Sequence, residues 1–534
     1  MDQVIGYVLV TLYVATLLAV AMYGMHRYVL LYLYLKHRKN ILHPKSHFAQ
    51  RPFVTVQLPM FNEDIVAERI IAATCQIDYP RDRFEIQVLD DSTDHSADIA
   101  EKSCAFWASK GYPVRYIHRD NRFGYKAGAL EHGLTTCKGE LIVIFDADFV
   151  PPRDMLSNTV DFFTDPKVGM VQVRWDHLNR DASLLTRSQA IFLDGHFVIE
   201  HTARNRSGRF MHFNGTAGVW RKETIRDAGG WQHDTLTEDL DLSYRAQMKG
   251  WQFVYLPQFA APAELPPEMC GFKQQAHRWT KGSVQTCMKL LPSVLKSDLG
   301  WHIKCEAFFH LTNTFVYPLM VLLTLLMYPT FFTQYSPFAA HSTQQYAFSL
   351  SLFVLATCSA GTFFIYAQKE LFGSGAGWRT LLWLPALMAL GVGVCINNTR
   401  ALLEAIYSSV RGQESEFVRT PKYGLIGAAK NTAWHRDSVF TFKRIWQPTL
   451  EIAFGVYTTF CLYMVVWAYI EWPADVGISG LAGIPFLLIF AGGYYYVGFG
   501  TFYALWKMHH HKQPAAVVAV VAAAVVLTTP AGTP

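Results

Sequence analysis

The chain alternates between long apolar stretches and a central segment of mixed polarity. The first apolar stretch covers residues 4–35. Others follow the central segment, at about 308–334, 346–366, 378–395, 450–471 and 478–506. A helix needs roughly 20 consecutive apolar residues to cross a bilayer. The pattern therefore predicts helical membrane segments on both sides of a soluble domain.

Basic residues beside the apolar stretches predict the orientation of the chain. Positive charge collects on the cytosolic side of membrane proteins, so the basic residues at 36–39 place the end of the first span in the cytosol. The segment 411–446 carries seven Lys and Arg residues and is expected there too. Both basic segments lie on the cytosolic side if the chain has five spans and 378–395 is an interfacial or re-entrant helix. The apolar run 515–527 is too short for a span.

Composition supports a membrane protein and excludes several other classes. Of the 534 residues, 51% are hydrophobic and 17% are charged, whereas a soluble domain carries about 25% charged residues. This composition excludes a disordered chain, a coiled coil and a disulfide-stapled secreted module. The net charge of +5 is too mild to indicate nucleic acid as a partner. Nine scattered cysteines without a CxxC pair favour neither a zinc site nor a disulfide framework.

The central segment is predicted to fold as an α/β domain. Short apolar runs at 53–59, 84–89, 114–118 and 141–145 are typical of strands, and helical stretches separate them. Alternating strands and helices predict a mostly parallel sheet, with ligands bound at the carboxyl ends of its strands. The sequence contains neither a GxxxxGK[ST] loop nor a GxGxxG turn that opens a helix after a strand. A P-loop or dinucleotide fold is therefore not indicated.

Two predicted strands end in pairs of acidic residues. Asp90 and Asp91 follow the second strand, and Asp146 and Asp148 follow the fourth. Alternate carboxylates can bind one hard divalent cation, which in turn bridges a diphosphate. Aspartate also caps helices that follow strands. Two acidic strand ends in one such domain, with the basic Lys126 between them, favour the cation site.

Three downstream motifs offer further candidate residues, each with a plainer alternative. The TED segment at 237–239 can supply a general base for a hydroxyl or simply begin a capped helix. The QQAHRW segment at 274–279 can bind a ligand or anchor the chain at a membrane border. The FNGT segment at 213–216 can line a site or form a plain turn.

Together, these motifs resemble a known series. Their order and spacing are similar to the D, DxD, TED and QxxRW motifs of processive family 2 membrane glycosyltransferases. The stretches QLPMFNE, QVLDDSTD and FNGTAGVWR most resemble the cellulose-synthase-like A subfamily, the glucomannan and mannan synthases. FVRTPK at 417–422 is similar to the gating loop of bacterial cellulose synthase. The matching motifs are Asp90-Asp91, Asp146-x-Asp148, Thr237-Glu238-Asp239 and Gln275-x-x-Arg278-Trp279.

The resemblance implies a donor site with a metal ion. Asp90 or Asp91 would hold the nucleoside end of a nucleotide sugar. Asp146 and Asp148 would bind Mg²⁺ or Mn²⁺ and, through it, the diphosphate. The donor is GDP-mannose by similarity to mannan synthases, with GDP-glucose and UDP-glucose as alternatives. The other donor-site residues implied are Lys126, Arg278, Thr420 and Lys422.

The resemblance also implies an acceptor site and a base. Asp239 would be the general base that deprotonates the acceptor hydroxyl, in a single displacement with inversion. Trp279 would stack on the terminal sugar of a growing polysaccharide. The other acceptor-side and motif residues implied are Phe213, Asn214, Gly215, Thr216, Glu238 and Gln275.

The expected protein is a metal-dependent hexosyltransferase that makes a β-linked polysaccharide and passes it across the bilayer. The alternatives are transfer of one sugar to a ceramide or polyprenyl phosphate, and a transporter with an accessory soluble domain. The GT-A-type domain is expected in the cytosol, at a bacterial inner membrane or a Golgi membrane. The expected divisions are an anchor at 1–36, the catalytic domain at 45–300, a membrane region at 301–510 with a gating loop at 411–425, and a tail at 511–534.

Overall fold

The central segment forms a mixed sheet of seven strands. The structure, a computed structural model, describes residues 2–335, 343–413, 415–420, 422, 424, 442–471 and 481–510. Its strands are β1 (Val54–Met60), β2 (Phe84–Asp90), β3 (Val114–His118), β4 (Leu141–Ile144), β5 (Val168–His177), β6 (Gly218–Arg221) and β7 (Gln252–Ala263). The four apolar runs predicted as strands are β1 to β4.

The strand order is β3-β2-β1-β4-β6-β5-β7. The first four of these run parallel, with Val56 aligned to Ile86 of β2 and to Val143 of β4. β6 is antiparallel to both β4 and β5, and β7 is parallel to β5. This mixed sheet confirms the predicted α/β, GT-A-type fold class.

Both faces of the sheet are buried, which explains the nearly continuous apolar runs of its strands. On one face, Val56 and Ile86 pack with Ile70 of the helix that follows β1. On the other, Ile142 and Ile144 pack with Leu130 of the helix that follows β3. Because side chains alternate along a strand, each strand contributes to both cores.

Helices cover the sheet and continue into the membrane region. Those up to the last strand are α1 (Asp2–His37), α2 (Ala67–Cys75), α3 (Ser96–Ser109), α4 (Tyr125–Thr136), α5 (Met155–Thr159), α6 (Leu184–Asp194), α7 (Thr202–Arg206), α8 (Lys222–Asp227) and α9 (Glu238–Met248). A π-helical segment, Gly195–His201, joins α6 to α7. The later helices are α10 (Met269–Lys296), α11 (Trp301–Thr312), α12 (Val316–Tyr335), α13 (Thr343–Phe372), α14 (Ser374–Arg379), α15 (Leu384–Gly393), α16 (Cys395–Val410), α17 (Phe442–Glu471) and α18 (Ile484–His510).

Five helical segments of the described residues are long and apolar enough to cross a membrane. They are Val4–His37, Trp301–Thr330, Leu384–Val410, Ile445–Glu471 and Ile484–Lys507. These segments confirm the membrane character predicted from the apolar stretches. The number of passes and the orientation stay predictions.

Two of the predicted membrane stretches belong to longer helical segments in the structure. The predicted interfacial helix at 378–395 runs on in the structure into Leu384–Val410, whose length and composition suit a span. The predicted span at 346–366 lies inside α13, which packs against α1. Residues 336–342, residues 472–475 and the predicted tail at 511–534 lie outside the described residues.

Close helix contacts attach the sheet domain to the membrane helices. The π-helical segment packs against α1 and α13. A Cβ on Gly195 would lie 2.6 Å from Cε1 of Phe363, so only glycine permits this approach. Through this contact, the segment that leads to the FNGT motif lies directly on the membrane helices.

Candidate active site

The acidic strand ends meet at one edge of the sheet, where a cavity of about 150 Å³ opens. The carboxyl ends of β1, β2 and β4 lie side by side, so the segments that follow them share this edge. The predicted site residues that line the cavity are Asp91, Lys126, Asp146, Asp148, Asn214, Gly215, Glu238, Asp239, Gln275, Arg278, Trp279, Thr420 and Lys422.

Lys126 holds the first carboxylate of the DxD motif. Its Nζ lies 2.6 Å from Oδ1 of Asp146 and donates to the carbonyl of Gly215 at 2.9 Å. Burial alone lowers the pKa of this ammonium, but Asp146 and Glu238 outweigh burial and raise the pKa above its ordinary value. Lys126 is therefore a fixed positive charge beside the motif.

The second DxD carboxylate meets the predicted gating loop. Oδ2 of Asp148 lies 2.6 Å from Nζ of Lys422. The other carboxylate oxygen, Oδ1, is buried and accepts no hydrogen bond from any described residue. Carboxylate oxygens are the ligands that hard divalent cations prefer. Asp146 and Asp148 therefore fit a cation site.

Asp239 lies at the start of α9 and lines the same cavity as the DxD carboxylates. Its Oδ1 accepts a hydrogen bond from its neighbour's backbone, Leu240 N, at 2.8 Å. Burial and the adjacent Glu238 raise the pKa of Asp239, while Lys126 opposes this shift. A carboxylate with a raised pKa is a stronger base than an exposed aspartate, as proton abstraction near neutral pH requires.

The two acids after β2 face different surroundings. Asp90 is fully buried and accepts hydrogen bonds from Ser92 Oγ at 2.5 Å and from the Tyr116 hydroxyl at 2.8 Å. Asp91 lines the cavity. Its Oδ1 accepts a hydrogen bond from Nε of Arg119 at 2.7 Å, and its Oδ2 accepts one from Nη2 of Arg119 at 2.5 Å. Of the two predicted alternatives, only Asp91 lies at the cavity.

The FNGT turn divides its residues between the cavity and the core. Asn214 and Gly215 line the cavity. The Phe213 ring is fully buried instead and lies edge-on to Trp220, with ring centroids 5.6 Å apart. Thr216 Oγ1 accepts a hydrogen bond from the backbone N–H of Asp146 at 2.9 Å. Phe213 and Thr216 support the site from behind and do not line it.

The QxxRW motif lies on α10 and faces the predicted gating loop. Gln274 Nε2 donates to the carbonyl of Arg419 at 3.0 Å. The Arg278 guanidinium lies 4.6 Å from the centre of the Phe417 ring. Thr420, within this loop, is buried. The described part of 411–425 thus covers the cavity, whereas residues 414, 421, 423 and 425–441 lie outside the described residues.

The cavity also contains residues that the motifs did not predict. Glu63 lies 3.5 Å from Arg419, and burial raises the pKa of Glu63 to about 7, against the opposing effect of Lys422. Glu264 pairs with Arg69, and Arg122 donates to the carbonyl of Phe417 at 3.4 Å.

Two of these residues, Glu63 and Glu264, could have been predicted from their positions just after strands. Glu63 follows β1 by three residues, and Glu264 directly follows β7. The carboxyl ends of these strands border the cavity, so polar residues just beyond them are candidates by the same rule that identified the acidic pairs.

Comparison with known proteins bears on the same region. Residues 51–282 match the family model described as glycosyltransferase like family 2. A probable glucomannan 4-beta-mannosyltransferase 4 of Oryza sativa subsp. japonica is 45% identical over 251 residues, which are 46% of each chain. Glucomannan 4-beta-mannosyltransferase 2 of Arabidopsis thaliana is 44% identical over 251 residues, 46% of this chain and 47% of that one. The match thus spans about half the length of these relatives.

A solved structure is also similar to this chain. It is the mannosyltransferase PcManGT from Pyrobaculum calidifontis in complex with GDP-Man and Mn²⁺, 22% identical, with a TM-score of 0.48. The alignment covers 72% of this chain and 99% of that one. The sequence matches confirm the resemblance to family 2 glycosyltransferases, and within them to the mannan synthases, over the sheet domain.

Proposed function

We propose that this chain, whose residues 51–282 form a family 2 glycosyltransferase domain, is a membrane-integrated inverting hexosyltransferase that extends a β-linked polysaccharide. One observation carries the proposal. The DxD carboxylates, the Asp239 carboxylate and the Trp279 ring line a single cavity. A nucleotide sugar in that cavity would meet a cation site, a base and an aromatic sugar platform together.

The donor half of the cavity suits a nucleoside diphosphate. Asp146 and Asp148 would hold a divalent cation, Mg²⁺ or Mn²⁺, which when bound neutralises charge on the diphosphate. Arg278 and Lys422 add positive charge at the same cavity and stabilise the leaving group. Asp91 would hold the nucleoside end, and Thr420 would lie over the phosphates in the closed loop. A covering loop also excludes water that would hydrolyse the donor.

The acceptor half supplies the base. The Asp239 carboxylate takes the proton of the acceptor hydroxyl while that oxygen bonds to the anomeric carbon of the donor. The bond from the anomeric carbon to the diphosphate breaks on the opposite face, and the configuration inverts. Trp279 offers a flat apolar ring on which the acceptor sugar stacks.

The donor and the product follow from the relatives. The matched rice and Arabidopsis proteins are named as glucomannan 4-beta-mannosyltransferases, which favours GDP-mannose and a mannan or glucomannan. GDP-glucose and UDP-glucose are the alternatives to be tested. The catalytic domain would lie in the cytosol and pass the polymer to the membrane helices that follow α10.

The proposal is tested with the full chain purified in lipid nanodiscs. GDP-mannose, GDP-glucose and UDP-glucose are each supplied with Mg²⁺ or Mn²⁺, and the product is digested with linkage-specific hydrolases. Asp239→Asn is expected to lower the transfer rate by about 10²–10⁴-fold, because the base is lost. The matched control is Asp82→Asn, since Asp82 has an 82% exposed side chain and does not line the cavity.

Each outcome of this test decides one part of the proposal. A long β-mannan or glucomannan supports polymer synthesis, whereas a single-sugar glycolipid contradicts it. Full transfer by the Asp239→Asn variant would exclude Asp239 as the base. Unchanged transfer after removal of divalent cations with a chelator would exclude the cation site. In vesicles, product that stays wholly accessible to added hydrolase would exclude translocation.

A further inference from the structure

Three histidines lie together behind the FNGT turn, outside the cavity described above. One ring nitrogen from each of His196, His201 and His212 lies within 4.8 Å of the others. The ring centroids of His196 are 4.4 Å from His201 and 5.4 Å from His212. We name these three residues the histidine cluster.

The π-helical segment creates the cluster. In an α-helix, residues five positions apart point about 140° away from each other. His196 and His201 are five apart, but they lie in Gly195–His201, where the π-helical turn brings both onto one face. His212 approaches from the segment before β6. Single π-helical turns often occur at functional sites.

The buried nitrogens of the cluster indicate a missing partner. His201 is fully buried, and neither of its ring nitrogens has a hydrogen-bond partner among the described residues. Nδ1 of His212 is likewise buried and unpartnered within that part of the chain. Buried polar atoms are nearly always satisfied in folded proteins. A bound cation would supply a partner for one nitrogen of each ring.

The chemistry of the cluster suits a transition metal. Burial lowers the pKa of His201 and His212 well below the ordinary value for histidine, so both imidazoles are neutral, the form that binds metals. Nδ1 of His196 lies 3.0 Å from Oε2 of Glu200. A carboxylate behind a ligating histidine is a common feature of metal sites, because it orients the ring and leaves the other nitrogen for the metal.

A fourth donor is also present. Nε2 of His196 and Nε2 of His212 each lie 3.1 Å from the side-chain nitrogen of Asn214, whose oxygen has no partner among the described residues. If the nitrogen and oxygen of this amide are exchanged, the oxygen of Asn214 faces Nε2 of His196 and Nε2 of His212. Asn214 also lines the catalytic cavity, so it connects the cluster to the acceptor side.

The surrounding charges permit a cation. Arg204 is paired with Glu200 at 3.2 Å and with Glu306 at 2.9 Å. The positive charge of Arg27 also lowers the pKa of Glu200. Two carboxylates thus balance two guanidinium groups, and the affinity rests on the neutral imidazoles.

We propose that His196, His201 and His212 bind one divalent transition metal of the Zn²⁺ type, with Asn214 as fourth donor, at a site separate from Asp146 and Asp148. Imidazole nitrogen favours Zn²⁺ over the hard cations that bind the DxD oxygens. The metal fixes the FNGT turn to the π-helical segment.

The test uses the full chain, purified without a histidine tag, in lipid nanodiscs. After dialysis against ZnCl₂ and then zinc-free buffer with excess Mg²⁺, elemental analysis is expected to find about one zinc per chain. Protein reconstituted with Co²⁺ is expected to show the intense visible absorption of tetrahedral cobalt. Zinc content near zero, or the weak spectrum of octahedral cobalt, would overturn the proposal.

Variants assign the metal to its ligands. His201→Gln and His212→Gln are expected to lose the zinc, while His132→Gln, at an exposed histidine elsewhere, keeps it. Asp148→Asn is also expected to keep it, which separates this site from the DxD site. Zinc retained at the wild-type amount by both folded cluster variants would overturn the proposal. If neither variant folds, the cobalt spectrum of the wild-type chain decides.

Discussion

Gly215, in the FNGT turn, lies so close to Asp239 and Lys126 that an added methyl group would crowd both. Its φ of +80° belongs to the left-handed region that favours glycine. A Cβ at this position would lie 3.0 Å from Oδ2 of Asp239 and 3.3 Å from Nζ of Lys126. The residue type at this position therefore determines whether the base and the ammonium keep their places.

We expect Gly215→Ala to lower kcat by about tenfold, because the added methyl group pushes Asp239 and Lys126 aside by a few tenths of an ångström and transfer depends steeply on the positions of both groups. The left-handed backbone adds about 1–2 kcal/mol of strain. Gly208→Ala is the matched control, since Gly208 has a φ of +72° with open space around its Cβ position. Equal losses of activity in both variants would attribute the effect to strain alone.

The Glu238 side chain influences the base from the neighbouring position in the chain. Burial and then Glu238 raise the pKa of Asp239. The base must be ionised to act, so activity is lost as the pH falls through this raised pKa. Replacing Glu238 by Gln removes a like charge and lowers the pKa.

We therefore expect the acid limb of kcat against pH to move to lower pH in Glu238→Gln. Glu101→Gln, on the exposed side of α3, is the control and should leave the limb in place. A limb that does not move in Glu238→Gln would show that the titrating group is not Asp239.

Among the elements, α10 joins the sheet domain to the membrane helices. Lys273 on α10 pairs with Glu451 on α17 at 2.6 Å, and both side chains are buried. Asn397 on α16 donates to the Lys273 carbonyl at 3.0 Å. Because α10 also carries Gln275, Arg278 and Trp279, this contact sets the position of the acceptor motif relative to the membrane.

Lys273→Met is expected to destabilise the protein by about 3–5 kcal/mol, because it leaves the Glu451 charge buried and unpaired. The double variant Lys273→Met with Glu451→Leu should recover most of that loss. The temperature of half-inactivation in nanodiscs measures both. Lys249→Met, which breaks the exposed pair with Asp227, is the control and should change little. A double variant no better than Lys273→Met would contradict the expected coupling.

At the scale of the whole molecule, a chain of polar contacts runs from the first membrane helix to the catalytic cavity. His26 on α1 lies 3.0 Å from Glu306, which pairs with Arg204. Arg204 pairs with Glu200, and the contacts then continue through the histidine cluster to Asn214. Each contact in such a buried network restricts the side chains that it joins. The first helix thus helps to position the acceptor side of the cavity.

We expect His26→Leu to destabilise the protein by about 1–3 kcal/mol, since Glu306 loses a buried partner, and to raise KM for the acceptor more than it lowers kcat. His26→Gln keeps a hydrogen-bonding group and should stay close to wild type. Half-inactivation temperature and initial rates over a range of acceptor concentrations measure the two effects. An unchanged acceptor KM in a destabilised His26→Leu would limit the role of the contact to stability.

The sequence alone predicts the strands β1 to β4, the membrane character and the motif residues, most of which line the cavity. Strands that are buried on both faces of a sheet are nearly continuous apolar runs, so they can be recognised in the sequence. It missed the strands β5, β6 and β7. β6 has only four residues, and β5 ends in the polar segment Arg174–His177. Local periodicity is weak in such strands, and their pairing partners lie far away along the chain.

Which motif residues meet depends on the folded arrangement of the elements. It turned Asp90 and Phe213 into the core, brought Asp91 and Asp239 to one cavity, and added Glu63 and Glu264 to it. It also gathered the histidine cluster from a π-helical turn that no sequence pattern indicated. The physical reason is that a motif specifies residue types along the chain. The direction of each side chain, its burial and its charge neighbours depend on contacts between elements distant in sequence.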